Sequence, residues 1–297
     1  MSRVSTAEAQ RVRRESKEFS ALRSVCFCVC LLFVAGAALA QGPQPPAPEA
    51  AHANELLKEG AQAFKRKDYA AAIELFQKAA EADPGSVKAH VYLATARAFT
   101  YVPGDASEEN AARARKSIAE FRAALDLDST NLAALDGLGT MLFHLAQQPY
   151  DQQKLMEARS FHYRHTQLKP DDAEPHYWVG LIDWVISFHA NSALRADYNQ
   201  NSNPALPPAD PLPAPLVDQF RDQYGWLVDD GIVHMKKAIA LRAGYDDALA
   251  GLNLLYRQKA DQSGSPEERA GYFQIADELV RQVKELKQRN VVSPTSP

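Results

Sequence analysis

Beyond its first forty residues the chain contains no cysteine. All three, Cys26, Cys28 and Cys30, fall inside one apolar run near the start. Residues 41–297 therefore carry no disulfide framework and no thiolate metal site. The chain also lacks an excess of positive charge. Of 33 basic and 37 acidic residues, six and three lie in residues 1–40, which leaves 27 against 34, or −7, for the remainder. A nucleic-acid binder presents a basic face, so that class of partner is set aside. Enzyme signatures are missing too: no G-x-S-x-G elbow, no G-x-x-x-x-G-K-[ST] loop, no H-E-x-x-H and no G-x-G-x-x-G. Carboxylates are plentiful, but with Lys and Arg beside them on helix surfaces they read as solvated faces. No catalytic residue and no cofactor is expected.

Residues 1–40 read as a leader rather than as part of the fold. Arg3, Arg11, Arg13, Arg14, Lys17 and Arg23 outweigh Glu8, Glu15 and Glu18, and the uncharged run Val25 to Ala40 follows. That run has 16 residues, short of the roughly 20 that span a bilayer. Ala38-Leu39-Ala40 matches a small-residue cleavage site, which makes Gln41 the mature N-terminus of an exported protein. Arg13-Arg14 opens like a twin-arginine motif, but Glu15-Ser16 does not continue it, so general secretion is favoured. Phe27-Cys28-Val29 before Cys30 does not resemble a lipoprotein box. No stable membrane insertion is expected after cleavage, in the periplasm or outside the cell. Residues 41–52, rich in proline, read as an extended tether.

What the chain does have is a period. Over residues 53–86, small residues recur where two helices must approach closely: Gly60, Ala72 and Ala79. Leu56, Ile73 and Phe76 fill the space between them. Lys67-Asp68-Tyr69 makes the turn, and Pro84, which has no N–H to donate, ends the second helix. Looser copies follow. Residues 87–131 carry His90, Leu93, Ala94, Ile118, Phe121 and Ala124, with extra chain at 101–109 and a helix start at Ser107. Residues 132–172 carry Leu135, Leu138, Gly139, Leu142, Ala158, His162, His165 and Pro170, with an insertion near 146–152. Residues 173–245 begin with His176, Val179 and Gly180. Their second helix is expected only at 227–241, after an irregular, proline-rich insertion over 187–225. Residues 246–288 carry Leu249, Leu252, Asn253 and Tyr256 and end in an amphipathic capping helix over 267–288. Residues 289–297 are expected to fray.

Leu56, Gly60, Ala72, Phe76, Ala79 and Pro84 stand in the signature places of the tetratricopeptide (TPR) repeat. The span 53–288 resembles TPR proteins, and its later part, including Tyr177-Trp178-Val179-Gly180-Leu181-Ile182-Asp183-Trp184, is similar to secreted bacterial members of unassigned activity. The resemblance implies an all-α, right-handed solenoid of about five helix-turn-helix repeats with a concave groove for peptides or proteins. It also implies the groove positions: Phe64 in the first repeat; Lys88, Thr95 and Phe99 in the second; Asp136, Thr140, Phe143 and His144 in the third; Tyr177, Leu181 and Trp184 in the fourth; Arg257 in the fifth. The Lys and Asn places of the chaperone-tail-binding members hold Leu57 and Ala61 here, which argues against that specificity.

The expected function is an exported, non-catalytic scaffold whose groove aromatics bind an extended peptide. In the competing arrangement the 187–225 insertion or the tether covers those rings. A second function, as a small-ligand-binding protein or accessory subunit of an envelope enzyme or transporter, would need an enclosed cavity beside Trp184 and Trp226. His162 and His165 lie one helical turn apart, but they occupy packing places and no nearby Cys or carboxylate completes a ligand set, so no metal site is expected. Export with cleavage predicts that N-terminal sequencing of the protein from an envelope fraction begins at Gln41; recovery of the intact Met1 terminus there would refute cleavage.

Overall fold

The computed structural model describes residues 48–207 and 210–292. The leader, tether residues 41–47 and the end of the chain lie outside the described residues. Within them the chain forms ten α-helices and no strand: α1 (Pro48–Lys65), α2 (Tyr69–Ala82), α3 (Val87–Ala98), α4 (Glu108–Leu127), α5 (Leu132–Leu145), α6 (Gln152–Leu168), α7 (Ala173–Asn201), α8 (Ala214–Leu241), α9 (Asp246–Asp261) and α10 (Pro266–Val292). Each packs chiefly on its neighbours in the chain. Odd-numbered helices also touch one another, α1 on α3, α3 on α5 and α7 on α9. The architecture is five stacked helix pairs with the odd-numbered helices along one inner face.

Local chemistry starts the helices where the sequence changes from polar to periodic. Asp68, Ser86, Ser107, Asn131, Asp151 and Asp172 each accept a hydrogen bond from a backbone N–H two or three residues on. These satisfy donors that no carbonyl in the first turn can reach. Lys67 takes the left-handed conformation, with φ 63°, and so closes the tight first turn.

Two segments differ from their sequence-based expectation. The stretch 187–225 is not an irregular insertion: α7 continues unbroken to Asn201 and α8 begins at Ala214. The helices of the fourth pair are simply long, 29 and 28 residues. Six prolines between 204 and 215 suggested a wider break. Pro215, however, sits in the first turn of α8, where a missing N–H costs nothing. At the ends, α1 takes in 48–52 of the proposed tether and α10 runs past residue 288 to Val292.

The core is serial. Leu57, Phe76 and Leu93 centre a first cluster, Phe121, Leu138, Leu155 and Ile186 a second, and Met235, Leu252 and Leu255 a third. Tyr92 packs against the first and second, Trp184 against the second and third. Glycine sets the closest approach within pairs. A Cβ on Gly60 would lie 2.5 Å from the Phe76 ring, and one on Gly139 would lie 2.6 Å from His162 Nε2 and 3.1 Å from the Ala158 carbonyl. Gly271 in α10 has open space around it. Alanine in place of a helical glycine gains about 1 kcal/mol in propensity, whereas overpacking costs about 1–3 kcal/mol. Gly139→Ala should therefore lower the urea midpoint and Gly271→Ala raise it. Equal shifts from the two would refute the close approach at Gly139.

Candidate functional site

The inner face begins with an aromatic shelf on the first two pairs. Phe64 near the end of α1 meets Phe99, the residue that closes α3, edge-on with ring centroids 5.0 Å apart. Tyr69 at the start of α2 completes the trio, 5.3 Å from Phe64 and 5.4 Å from Phe99. Phe99 remains 57% exposed. Beside the trio, Ala61, Phe64, Val91, Tyr92, Thr95 and Ala133 line an open, almost wholly apolar cleft of about 310 Å³. The Thr95 hydroxyl adds no polarity, because it donates to the Val91 carbonyl at 2.8 Å. Around the rim stand Lys58, Lys65 and Lys88, with no ion-pair partner among the described residues. The Lys88 ammonium lies 5.4 Å from the Tyr92 ring centroid.

The remaining groove positions do not form one continuous shelf with these. Phe143 sits edge-on to Trp178 at 5.4 Å, and Trp178 in turn meets Tyr177, which approaches Tyr245 at 5.2 Å. Leu181 packs on the third core cluster and Trp184 on the second and third. Thr140 is half-buried. His144 lies 5.9 Å from Tyr101 and lines a separate cleft. Arg257 is engaged elsewhere: its guanidinium donates to Asn253 at 3.0 Å and to Asp277 of α10 at 2.7 Å. Asp136 is engaged as well, accepting from His165 Nδ1 at 2.8 Å and standing 3.3 Å from His162 Nδ1. The two histidines therefore do have a carboxylate neighbour, contrary to the sequence reading, across 26 and 29 residues of chain. His162 also stacks on Trp178, 6° from parallel. Among the described residues, no three His, Cys, Asp or Glu side chains are arranged to hold a metal ion.

A second polar group, which the sequence reading missed, joins α6, α7 and α8. The Arg159 guanidinium forks onto Asp183, with Nε 2.5 Å from Oδ1 and Nη2 3.2 Å from Oδ2, and also bonds Asp230. Its outer faces carry Tyr163 and Trp226, at 5.6 and 5.3 Å. Asp230 stands 3.6 Å from His234 Nε2, and His234 Nδ1 lies 2.8 Å from His176 Nδ1, so that one ring donates and the other accepts. His176 Nε2 reaches the Pro170 carbonyl at 3.2 Å. Burial pushes Asp183 up to about 7 in spite of its Arg159 partner. Burial drives His234 down to about 4, with Asp230 opposing. No local motif announces these pairings.

With the helix pairs and their inner face described, the chain can be set beside known structures. It has the tetratricopeptide-repeat fold. MamA superposes with a TM-score of 0.51 at 17% identity, over 83% of this chain and 97% of that one. MamA 41-end from Desulfovibrio magneticus RS-1 gives 0.48 at 15%, over 79% and 97%. YrrB, described as a TPR protein with an unusual peptide-binding site, gives 0.49 at 13%, over 80% and 92%. No protein-family model matches the chain, and no curated protein does.

Trp184 and Trp226, beside which the small-ligand reading looked for an enclosed cavity, sit in different surroundings. Trp226 is half-exposed on α8 and Trp184 is wedged between core clusters. A cleft of about 520 Å³ lies instead between Pro211–Asp218 and the α9–α10 turn, lined by Leu212, Val217, Pro266 and Phe273.

The buried histidines make the TPR stack acid-sensitive. Burial lowers His162, His176 and His234 below the ordinary 6.5. Below that pH the unfolded chain takes up protons that the folded chain refuses. Their contribution is thus complete above pH 6.5 and is lost progressively as the pH falls below it, for His234 down to about 4. Asp183 acts in the opposite sense, since its raised folded value favours the acid form over the same range. A His176→Gln/His234→Gln variant separates the two. The urea midpoint of the wild type should fall more between pH 6.5 and 4.5 than that of the variant; parallel pH profiles would refute the assignment.

Proposed function

We propose that this protein is an exported, non-catalytic TPR scaffold that holds a protein or peptide partner along its inner face, chiefly on the first two pairs. The observation that carries this is the Phe64–Tyr69–Phe99 shelf beside an open apolar cleft. Exposed contiguous apolar surface on a soluble chain marks an interaction site, and a helical groove of this kind accepts an extended or helical segment. The unpaired Lys58, Lys65 and Lys88 at the rim favour a partner with acidic residues flanking its apolar anchor. Pro211 and Leu212, in the loop of the fourth pair, line a cleft beside the α9–α10 turn rather than this shelf, which supports the reading.

A buried carboxylate raised to about 7 is often part of an acid–base site. Asp183, however, is wholly enclosed and held by the Arg159 fork, so no substrate reaches it. That supports a structural role there. The cleft between Pro211–Asp218 and Ser263–Phe273 supports a small-ligand function as the second reading.

Peptides selected against the purified protein from a displayed random library should be enriched in acidic residues around an apolar or aromatic anchor. Phe64→Ala/Phe99→Ala should weaken them at least tenfold, equivalent to about 1.4 kcal/mol, whereas Trp226→Ala leaves them unchanged. Equal affinity for wild type and the double variant would overturn the site.

A further inference from the structure

The connections inside the second and third pairs, residues 99–107 and 146–151, converge on one small cleft of mixed polar and apolar lining. Its volume is about 130 Å³, space for about ten waters. The wall from the second pair is built in advance. Asn110, 1% exposed, accepts from the Val102 N–H at 2.9 Å and donates to the Val102 and Asp105 carbonyls at 2.9 and 2.8 Å. The Asp105 carboxylate accepts from the Ser107 N–H, and the Ser107 hydroxyl accepts from the Asn110 N–H. Asn110 and Ser107 are thus spent in shaping it, while the exposed Asp105 carboxylate keeps acceptor capacity.

The others have hydrogen-bonding capacity left over. The half-buried His144 imidazole, the Tyr101 hydroxyl and the Gln148 amide line the cleft with no hydrogen-bond partner among the described residues. Gln147 spends one N–H on the Phe143 carbonyl at 3.4 Å, and its carbonyl oxygen is free. Burial holds His144 below its ordinary value, so the ring is neutral near pH 7 with one donor and one acceptor. No Lys or Arg lines the cleft, so an anion would meet no counter-charge. Leftover donors and acceptors side by side, a tilted pair of rings and a carboxylate, Asp105, with no cation in the lining suit a polyhydroxylated ring that carries no negative charge and whose hydroxyls donate. A continuous peptide needs an open track, whereas this cleft has the volume of a single ring.

We propose that the cleft between the 99–107 and 146–151 connections binds a neutral sugar of pyranose type, as a monosaccharide or the terminal residue of a glycan, through Tyr101, His144, Gln147 and Gln148. The site is separate from the aromatic shelf.

The test is ligand-observed saturation-transfer NMR on the purified protein. The probes are the methyl glycosides of glucose, galactose and mannose, with glucuronate, glucosamine and N-acetyl-asparagine amide as anionic, cationic and peptide-like comparisons. At least one neutral glycoside should receive saturation. Tyr101→Phe, which removes only the hydroxyl, should weaken that glycoside about fivefold, on the scale of one net hydrogen bond. His144→Phe should weaken it at least as much. Phe64→Ala/Phe99→Ala should leave it unchanged, so that this proposal and the peptide-groove proposal fail separately. The proposal is overturned if no neutral glycoside receives saturation, if glucuronate, glucosamine or the capped asparagine binds more tightly than every neutral glycoside, or if both cleft variants bind as well as the wild type.

Discussion

A pair of amphipathic helices has more apolar surface than the two can hide in each other. That surplus organises this chain. Each pair must lend a face to the next, so the core becomes a series of clusters, with Tyr92 and Trp184 serving as shared walls. The two ends meet the constraint differently. At the C-terminal end of the described residues α10 turns outward a charged side, on which Arg281 pairs with Glu278 and Glu285. Near the N-terminal end the Phe64–Tyr69–Phe99 surface stays open, with Phe99 more than half exposed.

Between the third and fourth pairs the stack is held by charge as well as by apolar packing. Taking Arg159 and Asp183 out of water carries a desolvation penalty that their attraction repays only with good geometry. The penalty gives little net stability, but it gives register. An apolar seam tolerates small slides of one helix on another, whereas a guanidinium forked onto Asp183 of α7 and bonded to Asp230 of α8 fits one arrangement of three helices. The junction that most needs such a pin is the one where the helices are longest, 29 and 28 residues. Beyond Ile186 the long α7 reaches α9, and Asn191 donates to Gln258 and Asp261 there.

The fold was legible because its rules are local and repeated. Small residues at Gly60, Ala94, Gly139 and Gly180 recur in the same place of successive repeats, and caps such as Ser107 and Asn131 mark helix starts. The site was legible only in part. Phe64 and Phe99 meet because repeat register brings adjacent inner helices together. Asp136 and Arg257 occupy equally regular places, yet each is claimed by a partner on another helix. Distant pairings of this kind, such as Asp136 with His162 and His165, leave no periodic trace. The long fourth pair was misread for another reason. Prolines announce where a chain cannot continue a helix, but Pro215 lies where a helix can begin.

The lengths of the connections show where this architecture is constrained and where it is free. The links from one pair to the next, 83–86, 128–131, 169–172 and 242–245, are all four residues. The links inside pairs, 66–68, 99–107, 146–151, 202–213 and 262–265, run from three to twelve. Stacking fixes the first kind, because an added residue there would rotate the next pair off the shared core. The second kind closes a pair at its outer edge and can lengthen without moving any buried face, since loop closure costs little per added residue. The small cleft at 99–107 and 146–151 and the larger one at 211–218 and 263–273 are both built by these free links. The buried seam between pairs is constrained by the stack, so whatever distinguishes this chain from another array of the same fold has to be written along this edge and in the few inner side chains left exposed.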